Sequence, residues 1–224
     1  MIKFMFSLLL LSLSVSTAFA SPCDQFYPHN KEIVVKDTKV LCKNFYAVVW
    51  DQKHVANVFS TEAVQPDTRV PRKDAFRPDP QLMEETSIKE DYVGSGLDRG
   101  HNMPAAENQC QTPAVQDECF YFSNMTPQYH SLNAGDWKSV EVLERQLSMT
   151  NDSVHVWCGS VGVAKIIGAN KVAVPTQCWK VIYIVKTKEY MAFIFDNNTN
   201  KPTGVNSHKV EVSDVEKLSG YKFK

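Results

Sequence analysis

The chain carries almost no excess charge: 24 lysines and arginines stand against 25 aspartates and glutamates, a formal net charge of −1. A near-neutral protein cannot hold a polyanion by bulk electrostatics, so any nucleic-acid or membrane-surface role would need a local basic patch or a metal. Six cysteines and six histidines are present, but no C-x-x-C or H-x-x-x-H pair occurs, which argues against a structural or catalytic zinc site. Internal repeats, low-complexity tracts and a recognisable linker are also missing, which excludes solenoids and leaves one substantial core. After the first twenty residues no stretch approaches the length of a membrane-spanning helix. Two tempting motifs fall short. Gly94, Gly96 and Gly100 miss the dinucleotide fingerprint by one residue and precede no helical run. The Gly159–Gly162 stretch lacks the spacing of a nucleophile elbow.

What is present begins with a leader-like segment. Met1 to Lys3 are positive, Phe4 to Val15 are mostly apolar, and Ala18-Phe19-Ala20 forms an A-x-A cleavage signal. This predicts a signal peptide over residues 1–20 and a single exported domain over 21–224, with no stable membrane association after cleavage. All six cysteines (Cys23, Cys42, Cys110, Cys119, Cys158, Cys178) follow that site. An even count in an exported chain predicts disulfides and no free thiol, with Cys110–Cys119 the most direct pairing across a short polar loop.

Apolar patterning predicts a hairpin from "FYAVVWD" (residues 45–51) and "HVANVFS" (54–60), then a long loop over 61–96. "CFYFSNM" (119–125) reads as a buried strand, and residues 133–147 read as a helix. Three further strand-like stretches, within 153–164, 171–185 and 190–197, precede a short helix over 212–218. The pattern is α+β, with a mainly antiparallel central sheet flanked by helices.

"LDRGHNMPAAENQ" (97–109) is too polar for a core. His101 follows a glycine that permits an unusual backbone angle, and a histidine near its ordinary pKa can move a proton at neutral pH. Downstream, Asn133, Trp137, Glu141 and Arg145 recur every four residues, so they drift slowly round one side of the predicted helix. Taken singly, Asn133 reads as a helix cap and Glu141–Arg145 as a surface salt bridge.

Together these blocks carry a resemblance. D-R-G-H followed by N-M-P, then S-N-M-T-P-Q, then L-N-x-G-x-W-x-x-x-E-x-x-x-R resembles the DNA/RNA non-specific endonuclease family, the sugar-non-specific nucleases of the ββα-metal superfamily. "VAVPTQCWKVIY" is similar to the family's V-P-x-x-x-W-K strand. The likeness runs from about Leu41 to the C-terminus. It implies a ββα-metal active-site motif and an Mg²⁺-dependent endonuclease, with Mn²⁺ as a possible substitute, cutting DNA and RNA to 5′-phosphate products. By the same resemblance His101 is the general base, Asn133 the one direct protein ligand of the ion, and Glu141 the holder of metal-bound water. Arg99 and Arg145 face the phosphate, and Asn124 supports the site. Arg72 is the upstream arginine, with Arg69 and Arg77 as neighbouring choices. Asp98 is read as a partner that fixes the local geometry from behind. The chemistry is consistent: phosphodiester hydrolysis needs a proton acceptor, oxygen-held Mg²⁺ and fork-shaped phosphate donors. Two other readings stay open: a phosphodiesterase or phosphatase on small nucleotides, and a nucleic-acid-binding relative without catalysis. The leader leaves periplasm and extracellular space as destinations.

Overall fold

Eleven strands and four α-helices are seen in a computed structural model of the chain, which describes residues 22–28, 33, 35–54, 56–64, 72–82, 86–106, 112–151 and 153–224. The leader, Ser21, Arg69 and Cys110 lie outside the described residues. The expected hairpin is β2 (Tyr46–Asp51) and β3 (Ala56–Val64), antiparallel, with a register slip between Val49 and Trp50. It sits inside a seven-stranded sheet ordered β1-β2-β3-β6-β9-β10-β11, and the pairs along it are antiparallel. The added members are β1 (Lys39–Cys42), β6 (Val154–Val161), β9 (Gln177–Ile184), β10 (Glu189–Asp196) and β11 (Lys209–Val210).

Both faces of this sheet are covered, so β2 and β9 read as near-continuous apolar runs rather than alternating ones. On one face Trp157, Trp179, Val181 and Ala192 pack with Val212 and Val215 of the C-terminal helix α4 (Val212–Ser219). On the other, Val154, Val156, Ile182 and Phe193 meet Trp137 and Val140. Trp179, Val181, Ile182 and Phe193 are fully buried, and each contributes roughly 1.5–3 kcal/mol of transfer free energy.

Val140 belongs to α3 (Lys138–Asn151), whose buried stripe of Val140, Glu144 and Ser148 recurs every fourth residue. A wide helical turn, Leu132–Trp137, leads into it, with Gly135 off helical geometry at φ −103°, ψ −112°. A Cβ at Gly135 would stand 2.5 Å from Pro202 Cγ, so only glycine lets the C-terminal loop close over this kink.

Two short pairs complete the fold: β4 (Asp98–His101) with β5 (Met125–Gln128), and β7 (Lys165–Ile167) with β8 (Val172–Val174). Helix α1 (Lys89–Tyr92) lies within the expected 61–96 loop, and α2 (Pro113–Glu118) is capped by the Thr112 hydroxyl. No helix among the described residues is long and apolar enough to cross a membrane.

Three expectations need correction. The run 119–125 is buried but only its last residue is strand, because Phe122–Asn124 curls into a 3₁₀ turn. Apolar content reported burial there, not extension. Gly100 does not take a positive φ. Its missing side chain matters because a Cβ would overlap Gln128 Oε1 on the paired strand. The thiols are not all bridged: Cys23–Cys42 is a disulfide with Cα atoms 5.4 Å apart, while Cys158 and Cys178 are buried thiols. Cys178 pairs with Ser160 and Cys158 with Lys180 across β6 and β9, so the two cysteines are diagonal neighbours rather than opposed. Burial pushes the Cys178 thiol up to about 12 and raises Cys158 as well, leaving both chemically quiet.

Candidate active site

Strand β4 delivers D-R-G-H to the surface, β5 lies against it, and the wide turn and α3 follow: a ββα unit built from the three motif blocks. It encloses a cavity of about 280 Å³ lined by Arg72, Arg99, His101, Asn133, Lys138, Glu141 and Arg145, with Pro104 and three alanines. Six residues singled out in the sequence thus meet in one place. Lys138 joins them unanticipated, one helical turn before Glu141.

His101 is 9% exposed. Its ring stands edge-on to Phe120 at 5.1 Å and tilted to Phe76 at 5.8 Å. The same two rings seat the arginines: the Arg99 guanidinium lies 4.0 Å from the Phe76 centroid and that of Arg72 5.3 Å from Phe120. Burial first, then the nearby Arg72 and Arg99 charges, pull the His101 pKa down to about 3, so the free imidazole is neutral at pH 7. Its Nε2 is buried with no hydrogen-bond partner among the described residues. An orphaned ring nitrogen beside a polar cavity can accept or donate a hydrogen bond, according to which imidazole tautomer is present.

Asn133 donates from Nδ2 to Asp98 Oδ2 at 2.9 Å, and His130 Nδ1 meets the same oxygen at 2.8 Å. A carboxylate only accepts, so the Asn133 amide must turn its nitrogen toward Asp98 and leave its oxygen as the end for a cation. Glu141, half-buried on α3, is pushed up to about 7, mainly by burial and further by Glu144, while Lys180, Arg145 and Lys138 oppose the rise. Among the described residues no group of three or more His, Cys, Asp or Glu gathers, so neither a zinc cage nor an all-protein calcium cage fits. One amide oxygen and one carboxylate facing a common cavity suit Mg²⁺, which keeps most of its water.

Asn124 sits elsewhere. It is fully buried behind β4, donating to the Met103 and Cys119 carbonyls at 2.8 and 2.9 Å and accepting from Met103 N at 2.9 Å. That grip fixes the chain just after His101. Arg77 turns away toward Asp117 (3.3 Å) and the Tyr121 ring (4.7 Å), whereas Arg72, paired with Asp74 at 2.8 Å, lines the cavity.

The ββα unit brings the three motif blocks together at one cavity, and sequence comparison agrees with the family they resemble. Residues 29–224 match the DNA/RNA non-specific endonuclease family, to which the chain belongs. It is 35% identical over 167 residues to the mitochondrial nuclease EXOG of Xenopus laevis, covering 66% of this chain and 46% of that protein. Against the nuclease of Serratia marcescens it is 34% identical over 161 residues, 65% of this chain and 59% of the other. The chain therefore spans about half the length of the curated relatives it matches. A chain in the crystal structure of the EndoG/EndoGI complex superposes with a TM-score of 0.71 at 27% identity, covering 82% of this chain and 84% of its own length.

Proposed function

We propose that the chain is an exported, Mg²⁺-dependent endonuclease that hydrolyses DNA and RNA with little sequence preference, leaving 5′-phosphate ends. The observation that carries this reading is the single cavity holding His101, Asn133, Glu141 and the three arginines. His101 Nε2 takes the proton of the attacking water. Burial is the main cause that holds His101 low, and a phosphodiester lodged between Arg72 and Arg99 offsets the second, the arginine charges, so basicity rises as substrate arrives. Arg72, Arg99 and Arg145 donate to the phosphoryl oxygens and hold them in line. Asn133 Oδ1 and, through water, Glu141 would hold the cation, and Mg²⁺ (or Mn²⁺) there would supply charge stabilisation to the transition state. Contacts to phosphate carry no base information, which accounts for the lack of sequence preference. The Cys23–Cys42 bridge supports residence in an oxidising compartment, in line with the leader.

The test is circular plasmid and ribosomal RNA incubated with the purified protein, with and without a chelator, alongside His101→Ala. Both polymers should be cut, the chelator should stop cutting, and His101→Ala should be slower by roughly two to four orders of magnitude. Parent-rate cleavage by that variant would overturn the mechanism. Cleavage should also fall steeply with salt, because Arg72, Arg99 and Arg145 contact phosphate locally despite the chain's net charge of −1. A rate flat from low to physiological salt would count against phosphate contacts by these residues.

A further inference from the structure

Beside the catalytic cavity lies a second, of about 390 Å³. The two share Arg72, Arg99 and Asn133, so whatever occupies one adjoins the other. Its outer wall is a knob formed by α1 and the turn after it, with Tyr92 nearly buried and Val93 73% exposed at the tip. An exposed valine on a mobile loop would mean little, but this knob is braced. The Asp91 carboxylate accepts from Ile88 N at 2.8 Å and from Asn170 N and Nδ2 at 3.1 and 2.9 Å, tying it to the β7–β8 turn. Ser95 N and Oγ donate to the Tyr92 carbonyl at 3.1 and 2.7 Å, and Leu97 N donates to Ser95 Oγ at 3.1 Å. The braced turn holds Val93 out at the mouth of the cleft, 73% exposed.

The charges around the cavity select the occupant. Lys89, on the same knob, adds a cation to those of Arg72 and Arg99. The two carboxylates on its lining are engaged, Asp74 with Arg72 and Asp98 with Asn133 and His130. An apolar wall, a cationic rim and a volume within the range of small-molecule sites fit a nucleoside flanked by phosphates. We propose that this cavity is the subsite for the sugar and base of the nucleotide next to the scissile phosphate, its base packed on Val93 and the neighbouring phosphate on Lys89. The proposal rests on the nuclease reading and deepens it. The lining's one amide side chain, Asn133, has its NH₂ committed to Asp98, and the Arg72 and Arg99 forks are taken by phosphate in this reading, so any base is accepted through its face.

The test uses a labelled single-stranded DNA 15-mer and a set of versions each carrying one abasic (tetrahydrofuran) position, with every cut bond resolved on a sequencing gel. For the parent, cutting should drop about tenfold at the bond standing at one fixed offset from the missing base. Val93→Ser, at an exposed position that tolerates substitution, should raise KM for the intact strand about three- to tenfold. It should also erase the fixed-offset dip, because the abasic site and the serine each abolish the same packing of base on valine. If the parent cuts the intact strand but shows no fixed-offset dip, or Val93→Ser keeps the dip and the parent KM, the subsite is wrong and the nuclease reading stands. If the parent cuts no strand at all, the nuclease reading itself has failed.

Discussion

The indole Nε1 of Trp137 donates to the backbone carbonyl of His101 across 3.0 Å. The ring is fully buried, edge-on to Phe195 at 5.6 Å, and Lys180 Nζ stands 4.5 Å from its centroid. One tryptophan therefore couples the helix carrying Glu141 to the strand carrying His101. Trp137→Phe keeps most of the apolar volume and deletes the donor, leaving a buried carbonyl unsatisfied at a cost of about 1–3 kcal/mol. Turnover should fall about tenfold with KM little changed, since the base loses its fixed position while the arginines remain. A variant with lower melting temperature but parent kcat would show the hydrogen bond to be structural only.

Asp98 predicts a different signature. Its Oδ2 decides which end of the Asn133 amide faces the cavity. Asp98→Asn offers a donor as well as an acceptor, so the Asn133 amide loses its reason to present oxygen to a cation. The Mg²⁺ concentration for half-maximal cleavage should rise roughly tenfold or more, the size typical of residues that orient metal ligands. Rates at saturating Mg²⁺ should largely recover. An unchanged Mg²⁺ titration would mean that Asp98 does not orient the ligand.

Beneath Trp137, Lys180 and Glu144 form an ion pair at 2.9 and 3.1 Å with both side chains fully buried. Burial alone would pull Lys180 down, but Glu144, Cys158 and Glu141 outweigh it and hold the ammonium above the ordinary lysine range. Lys180→Met strands the Glu144 carboxylate in the core and should cost roughly 3–5 kcal/mol of stability. Lys180→Met with Glu144→Leu removes both charges and should recover most of that loss. Urea melts of the three proteins decide it, and equal losses for the single and double variants would show that the pair's charges do not matter.

Much of this was legible in the sequence, for reasons that differ by element. Strands β2, β3, β6, β9 and β10 and helices α3 and α4 are long apolar or periodic runs, where local pattern and tertiary burial agree. The cavity residues were legible because each occupies a fixed place in a motif. Strand β4 was not, because D-R-G-H has neither length nor apolar alternation and is extended only through its pairing with β5. Phe76 and Phe120, which seat Arg99, Arg72 and His101, lie 44 positions apart and share no motif. Their role exists only in three dimensions. Each half of the Lys180–Glu144 pair had a signal, since Lys180 closes the V-P-x-x-x-W-K block and Glu144 falls at helical spacing with Val140 and Leu147, but no local pattern joined the strand residue to the helix residue.

Glu141 yields the last prediction, through its sign. A carboxyl raised from 4.5 to about 7 in the fold favours its protonated form there. Its contribution to stability is then complete below pH 4.5 and is lost as pH rises through 7, because the unfolded chain ionises the group more readily than the folded one. Partial exposure lets solvent screen part of the penalty, which leaves an effect of about 1 kcal/mol rather than the full shift. Glu141→Gln removes the ionisation, so in chelator it should be more stable than the parent at pH 8 by that amount and equal to it at pH 4. Added Mg²⁺ should shrink the difference at pH 8, since the ion stabilises the parent through its ionised carboxylate. Activity should move the opposite way, with the Mg²⁺ requirement of Glu141→Gln raised several-fold. Denaturant melts at pH 4 and pH 8, with and without Mg²⁺, read the stability effects, and a Mg²⁺ titration of cleavage reads the third. If Glu141→Gln is less stable than the parent at pH 8 in chelator, the carboxylate is not being held at a cost, and its place as a ligand-holding group loses its physical support.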